Sequence, residues 1–310
     1  MAHPTAGPVS GEPVSTEAVS MEPVSTTDGR VRRVRLDAAG IPLSALLGEP
    51  ARTPPRAVVV ALHGVGMNSG YFHGTAHPDL SLVTLGMSLG CTVLALDRPG
   101  YGASAAALPH GQTREEQAAV LHAALASFAD RHPVGAGFFL LAHSYGGKVA
   151  LTVASRAAGG LIGLDISGCG HEYAAPDDLR GNRPAGGVRR NWGALRLYPP
   201  GTFQAGESVV APVPEREWAD AARWPGVFPD VAAGVRVPVR FTFAEHESWW
   251  RHDESAVADL VARFTSCPRV VVERQPDSGH NISLGWAARA YHLKALAFLE
   301  ECLAAGRCAG

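Results

Sequence analysis

The sequence is poor in cysteine, in net charge and in long apolar runs. Five cysteines, Cys91, Cys169, Cys267, Cys302 and Cys308, are scattered over 310 residues, an odd number with no Cys-x-x-Cys spacing. That is too sparse for a disulfide framework and too dispersed for a zinc site. They read as reduced thiols of a cytoplasmic protein, most of them small buried hydrophobes. Lys and Arg number 27 against 29 for Asp and Glu, a formal charge of −2. The basic excess of a nucleic-acid binder is missing, as is the charge that would draw a chain to an anionic membrane. No apolar stretch approaches the roughly 20 residues that span a bilayer. No metal or organic cofactor is called for, and the thirteen histidines form no cluster.

Residues 1–30 also lack large apolar side chains. They repeat a degenerate pentapeptide at Gly7–Gly11, Glu12–Thr16, Glu17–Met21 and Glu22–Thr26. Proline removes backbone donors, and nothing here is large enough to offset ordering entropy, so a disordered tail is expected. With no basic start and no apolar h-region, it does not read as a signal peptide.

From residue 31 the pattern changes. Val31–Leu36 and Ile41–Leu47 read as short strands around a turn at Ala39 and Gly40. Ala57–Leu62, Thr92–Leu96, Gly137–Leu141 and Leu161–Ile166 are continuous apolar runs, the mark of strands buried on both faces; Val237–Phe243 and Arg269–Val272 complete the set. Helical stretches intervene at 79–89, Thr113–Arg131, Lys148–Ala157, Ala256–Phe264 and Leu284–Ala304. Thr113 and Glu116 have the spacing of a capping box. This alternation predicts an α/β fold, a mostly parallel central sheet with helices on both faces.

One interval interrupts the rhythm. About 70 residues separate Ile166 from Val237, with eight prolines and the aromatics Trp192, Tyr198, Trp218, Trp224 and Phe228. Residues 169–236 are expected to form a cap inserted after the strand ending near Ile166. It would lie over the carboxyl ends of the strands, where open α/β sheets bind ligands. The core would then be 31–168 together with 237–310.

Three short stretches carry chemistry. Ala142-His-Ser144-Tyr-Gly146 lies between a buried strand and a helix, the context of a nucleophile elbow with small residues two before and two after the serine. His63-Gly-Val-Gly66 follows the Ala57–Leu62 strand. An attacked carbonyl builds negative charge on oxygen, and the amides of Tyr145 and Val65, with Gly66 as second choice to Val65, are placed to meet it. Ser278-Gly-His280-Asn follows the last strand, where an imidazole can act as general base. For the acid that orients this histidine, Glu247 is the first choice and Glu245 the second, both after the penultimate strand; Asp165 and Glu172 remain as alternatives.

Taken with Asp97–Ser104 (DRPGYGAS) and Ala244–Glu247 (AEHE), these stretches resemble the α/β-hydrolase superfamily over roughly residues 31–304. The family usually carries Asp where this chain has Glu247. Serine as nucleophile separates the chain from haloalkane dehalogenases and most epoxide hydrolases. The resemblance implies a serine hydrolase cleaving a carboxylic ester, thioester or peptide-like bond through an acyl-serine. The alternatives are an acyltransferase or lyase of the same fold, in natural-product tailoring for instance, or an inactive binding protein. The substrate would be a small molecule or an acyl group carried on a carrier or peptide. Trp192, Tyr198, Trp218, Trp224 and Phe228 are candidate walls of an apolar pocket, and Arg189 and Arg190 candidate anchors for a carboxylate or phosphate. His171, with Cys169, is expected near the pocket mouth, and Trp249 and Trp250 beside the acid.

Overall fold

The computed structural model describes residues 30–156, 159–175 and 187–308. The expected N-terminal tail lies outside them except for Arg30. The described chain builds one sheet of eight strands. They are β1 (Val31–Ala38), β2 (Ile41–Gly48), β3 (Val58–Leu62), β4 (Thr92–Leu96), β5 (Phe138–His143), β6 (Leu161–Ser167), β7 (Val239–Ala244) and β8 (Val270–Gln275). Their spatial order is β1-β2-β4-β3-β5-β6-β7-β8. β1 and β2 form an antiparallel hairpin closed by Ala39 and Gly40, both at positive φ as a tight primed turn demands. β2 is antiparallel to β4, and from β4 to β8 every pairing is parallel.

The middle strands are buried along their whole length, because helices cover both faces. On one face lie α2 (Arg114–Ala129) and α3 (Tyr145–Ser155), with α6 (Glu215–Gly234) and α7 (Glu254–Ala262) beyond them. On the other lie α1 (Leu82–Ser88) and α8 (Ala288–Cys308). α2 begins with the full capping box of Thr113 and Glu116. α3 starts three residues earlier than the sequence periodicity suggests, because the turn at Ser144 feeds directly into it.

The interval between β6 and β7 holds α4 (Gly187–Trp192), α5 (Thr202–Gly206) and the 20-residue α6. α6 runs through Pro225 and Pro229, residues that ordinarily interrupt a helix. The carbonyl that Pro225 deprives of its helical partner is that of Ala221. It accepts the Tyr173 hydroxyl at 2.8 Å, so that loss is made good from outside the helix. Two buried ion pairs join α6 to the sheet side: Glu217 with Arg98, and Asp220 with Arg114. No helix among the described residues is long and apolar enough to cross a membrane.

Candidate active site

β5 ends at His143, and Ser144 turns the chain into α3 with φ 54° and ψ −119°. Such a backbone costs about 1–3 kcal/mol for a residue with a Cβ and lifts the side chain clear of the sheet. The turn needs room beside it. A Cβ on Gly146 would press into the carbonyls of Leu62 and His63, and one on Gly64 would come 3.1 Å from the Ser144 Cβ. The small residues of both motifs therefore answer one steric demand, the close approach of the β3 and β5 loops.

His280 arrives on the loop after β8. Its Nε2 lies 3.2 Å from the Ser144 Oγ, and its Nδ1 lies 2.8 Å from Oε2 of Glu247. Glu247 follows β7. Its other oxygen accepts the backbone N–H groups of Ser248 at 3.0 Å and Trp249 at 2.9 Å. Burial pushes the Glu247 carboxyl up, but His280, the Trp249 amide and His252 outweigh it and hold the group below the ordinary carboxylate value. An ionised Glu247 accepting from Nδ1 leaves Nε2 bare and facing the serine hydroxyl. Gly168 at the end of β6 clears the way for this ring, since a Cβ there would meet the His280 Cε1 at 2.9 Å.

The other acid candidates are occupied elsewhere. Glu245 is half-buried and accepts the Asp277 N–H at 2.8 Å, which steadies the loop that carries His280. Asp165 is buried between Arg240 and the Tyr291 hydroxyl. Glu172 pairs with Arg251 at the surface.

Above Ser144 opens a cavity of about 410 Å³, bounded by His280 and Tyr145 on the sheet side and by Trp192 and Trp218 from the interval. Val65 also lines it, and its amide has no acceptor among the described residues. The Gly66 amide, by contrast, donates to the Tyr101 hydroxyl at 3.1 Å. The Tyr145 amide is in the first turn of α3, where N–H groups have no partner within the helix.

Several sequence expectations are displaced. His171 is not in the cavity wall; it pairs with Asp259 at 2.9 Å and packs on Phe228, drawn towards α7 by the carboxylate. Arg189 is exposed and Arg190 lies over the Trp249 ring, so neither guanidinium borders the cavity. Trp224 and Phe228 belong to the core; the Trp224 indole donates to the Gly170 carbonyl. Tyr198 is buried in the opposite cluster. Cys169 is buried in the core, and burial pushes its thiol up to about 12. Trp249 and Trp250, in contrast, do reach the cavity.

Other residues at the site were not singled out by sequence. His143 stands behind His280 at 4.7 Å, stacked on Tyr71, and burial holds it well below its ordinary pKa and so neutral. Arg98 reaches from the loop after β4 to the carbonyls of His63 and Gly64, at 2.7 and 3.1 Å, and to Glu217 of α6. It thereby fixes the peptide that precedes the Val65 amide. Lys148 lines the cavity one helical turn beyond Ser144. The available signal was a single charge at the head of the largely apolar run Val149–Ala154. Among the described residues no cluster of His, Cys, Asp and Glu could hold a metal ion.

The sequence matches the alpha/beta hydrolase family over residues 59–291. The chain belongs to that family. No curated protein sequence matches it significantly. Among solved structures it is similar to a highly thermostable carboxyl esterase from Bacillus coagulans, at 16% identity and TM-score 0.66, over 88% of this chain and 99% of that one. It is similar to a proline iminopeptidase from Mycobacterium smegmatis, at 20% identity and TM-score 0.56 over 88% and 99%. A thioesterase domain from the curacin biosynthetic pathway aligns at 14% identity and TM-score 0.59 over 86% and 99%. At these identities the likeness is one of fold. Within the alpha/beta hydrolase frame, Ser144 occupies the strand-to-helix turn after β5, and the loops after β7 and β8 carry Glu247 and His280.

Proposed function

We propose that this alpha/beta hydrolase is a serine hydrolase that cleaves an ester, thioester or peptide-like acyl bond through an acyl-Ser144 intermediate. The observation that carries the reading is the continuous hydrogen-bonded chain Ser144–His280–Glu247, at 3.2 and 2.8 Å, opening on a cavity.

His280 takes the Ser144 proton at Nε2 as Oγ attacks the carbonyl carbon. Glu247 holds the ring in the tautomer that permits this and stabilises the imidazolium. The amides of Val65 and Tyr145 receive the oxyanion; such a donor contributes about 2.7–4 kcal/mol to transition-state stabilisation. The protonated His280 then gives its proton to the leaving group. Water, activated by the same imidazole, attacks the acyl-serine and releases the acid. Residues 169–236 act as the cap that selects the substrate, with Trp192 and Trp218 as its cavity-facing aromatics.

Labelling with a fluorophosphonate probe tests the nucleophile. The expected result is stoichiometric labelling on Ser144 and none in Ser144→Ala, with ester turnover in that variant down by about 10⁶-fold. Turnover at the wild-type rate in Ser144→Ala overturns the reading. Product analysis with and without an added nucleophile separates hydrolysis from transfer to another acceptor.

A further inference from the structure

Lys148 is a buried cation with little to hold it. Its side chain is 3% exposed, yet it borders the same cavity as Ser144. Its ammonium donates to the Tyr173 hydroxyl at 2.5 Å, and no carboxylate lies within 4 Å of it among the described residues. An ammonium has three donors, so two are left without an acceptor among the described residues. The nearest acids are committed elsewhere. Asp220 pairs with Arg114 at 3.2 Å and accepts the Tyr145 hydroxyl at 2.8 Å, and Glu217 is taken by Arg98, Tyr101 and Gln117.

What surrounds the ammonium is aromatic. The rings of Tyr173, Trp250, Tyr145 and Trp224 lie 5.1, 5.2, 5.3 and 5.9 Å from Nζ. Such faces favour a cation without neutralising it. The fold gains nothing evident from this charge. Tyr173 does not need it, since its own proton already goes to the Ala221 carbonyl. A desolvated positive charge on a side chain that borders a reaction cavity, with donors unmet among the described residues, is a preorganised anion site.

We propose that Lys148 binds a carboxylate of the substrate, remote from the scissile bond, and so selects esters or thioesters that carry a free acid. This rests on the serine-hydrolase reading for the bond that is cut, but not for the binding itself. Lys148 follows Ser144 by four residues on α3, about 6 Å along the helix axis. The carboxylate and the attacked carbonyl are thus separated by a short chain, as in half-esters of small dicarboxylic acids. Neutral substrates of equal length leave the ammonium buried with the Tyr173 hydroxyl as its one acceptor among the described residues.

The test compares monoethyl succinate, glutarate and adipate with ethyl butanoate, pentanoate and hexanoate, following acid release. Acetate esters with the acid on the alcohol side, such as 4-acetoxybutanoate against butyl acetate, cover the other orientation. The expected result is at least a tenfold advantage in kcat/KM for an anionic ester over its neutral partner in one of the two series. In Lys148→Met, or Lys148→Gln should the first variant fail to fold, that ratio falls at least tenfold. No anionic preference in either series, or a ratio the substitution leaves unaltered, overturns the proposal. Calorimetry on Ser144→Ala keeps the two readings apart. Tighter binding of the anionic ester there, lost on adding Lys148→Met, supports the Lys148 site even if the wild type neither labels nor turns over. Labelling and turnover of neutral esters without any such preference leave the hydrolase standing and remove the Lys148 site.

Discussion

The two walls of the cavity are held by different physics. On the sheet wall, Ser144, Glu247 and His280 sit on short turns at the ends of β5, β7 and β8, strands paired in parallel register and, for the first two, buried along their length. Hydrogen bonds of 2.8–3.2 Å connect them. The opposite wall comes from residues between Asn191 and Ala221 and depends on α6, which is fastened by Arg98–Glu217 and Arg114–Asp220. The fastening charges are compensated: Arg98 alone meets Glu217, Gln117 and two carbonyls. Lys148, at the seam of the two walls, meets one phenol and four rings. The contrast teaches that buried charge used for architecture here comes with its partners, while buried charge left open belongs to recognition.

Substitutions that strike one wall at a time sharpen this contrast. The largest effect after loss of the nucleophile is expected from Glu247→Gln, which leaves the shape intact but spoils the His280 tautomer. We expect kcat to fall by about 10⁴-fold, read in steady-state ester kinetics. Glu217→Ala strikes the seam. It leaves Arg98 buried without its carboxylate, and chemical denaturation should show a loss of about 3–5 kcal/mol. If stability is unchanged, the ion pair does not fasten α6. Lys148→Met acts in the opposite sense. Removing an uncompensated buried charge should raise Tm, by an amount equivalent to about 1–3 kcal/mol of added stability. A lower Tm would mean that the aromatic cage holds the cation for the sake of the fold.

The smallest effect is the pH dependence carried by Glu247. Its folded pKa lies below the ordinary value, so its ionised form adds stability that is present above about pH 4.3 and is lost as pH falls through the folded value. The difference in unfolding free energy between wild type and Glu247→Gln should therefore shrink on acidification across that window. A constant difference from pH 6 to pH 3 contradicts the assignment.

Much of this was legible in one dimension. Strands buried on both faces announce themselves as apolar runs, and β3 to β7 follow those runs to within two residues. Ser144, Tyr145, Val65, Glu247 and His280 lie in short motifs whose small residues record local crowding, so the structure brings them together where the motifs suggest. Cavity walls were less legible. Trp192 and Trp218 line the cavity, but His171 and Arg189 do not, because a large side chain in an irregular interval can face core, cavity or solvent with equal local propensity. α6 was hidden by Pro225 and Pro229, whose cost within the helix is partly met by Tyr173, a residue about 50 positions away.

By itself the sequence determined the alternation of elements, the parallel sheet and the family, since these rest on periodicity and on turn chemistry within a few residues. It also confined the choice of acid to four carboxylates. Only the tertiary structure decided that Glu247 faces His280 while Glu245, Asp165 and Glu172 are engaged elsewhere, and that Lys148 is enclosed without a counterion among the described residues. Charge compensation is a property of neighbours in space, and no pattern along the chain records which neighbours those are.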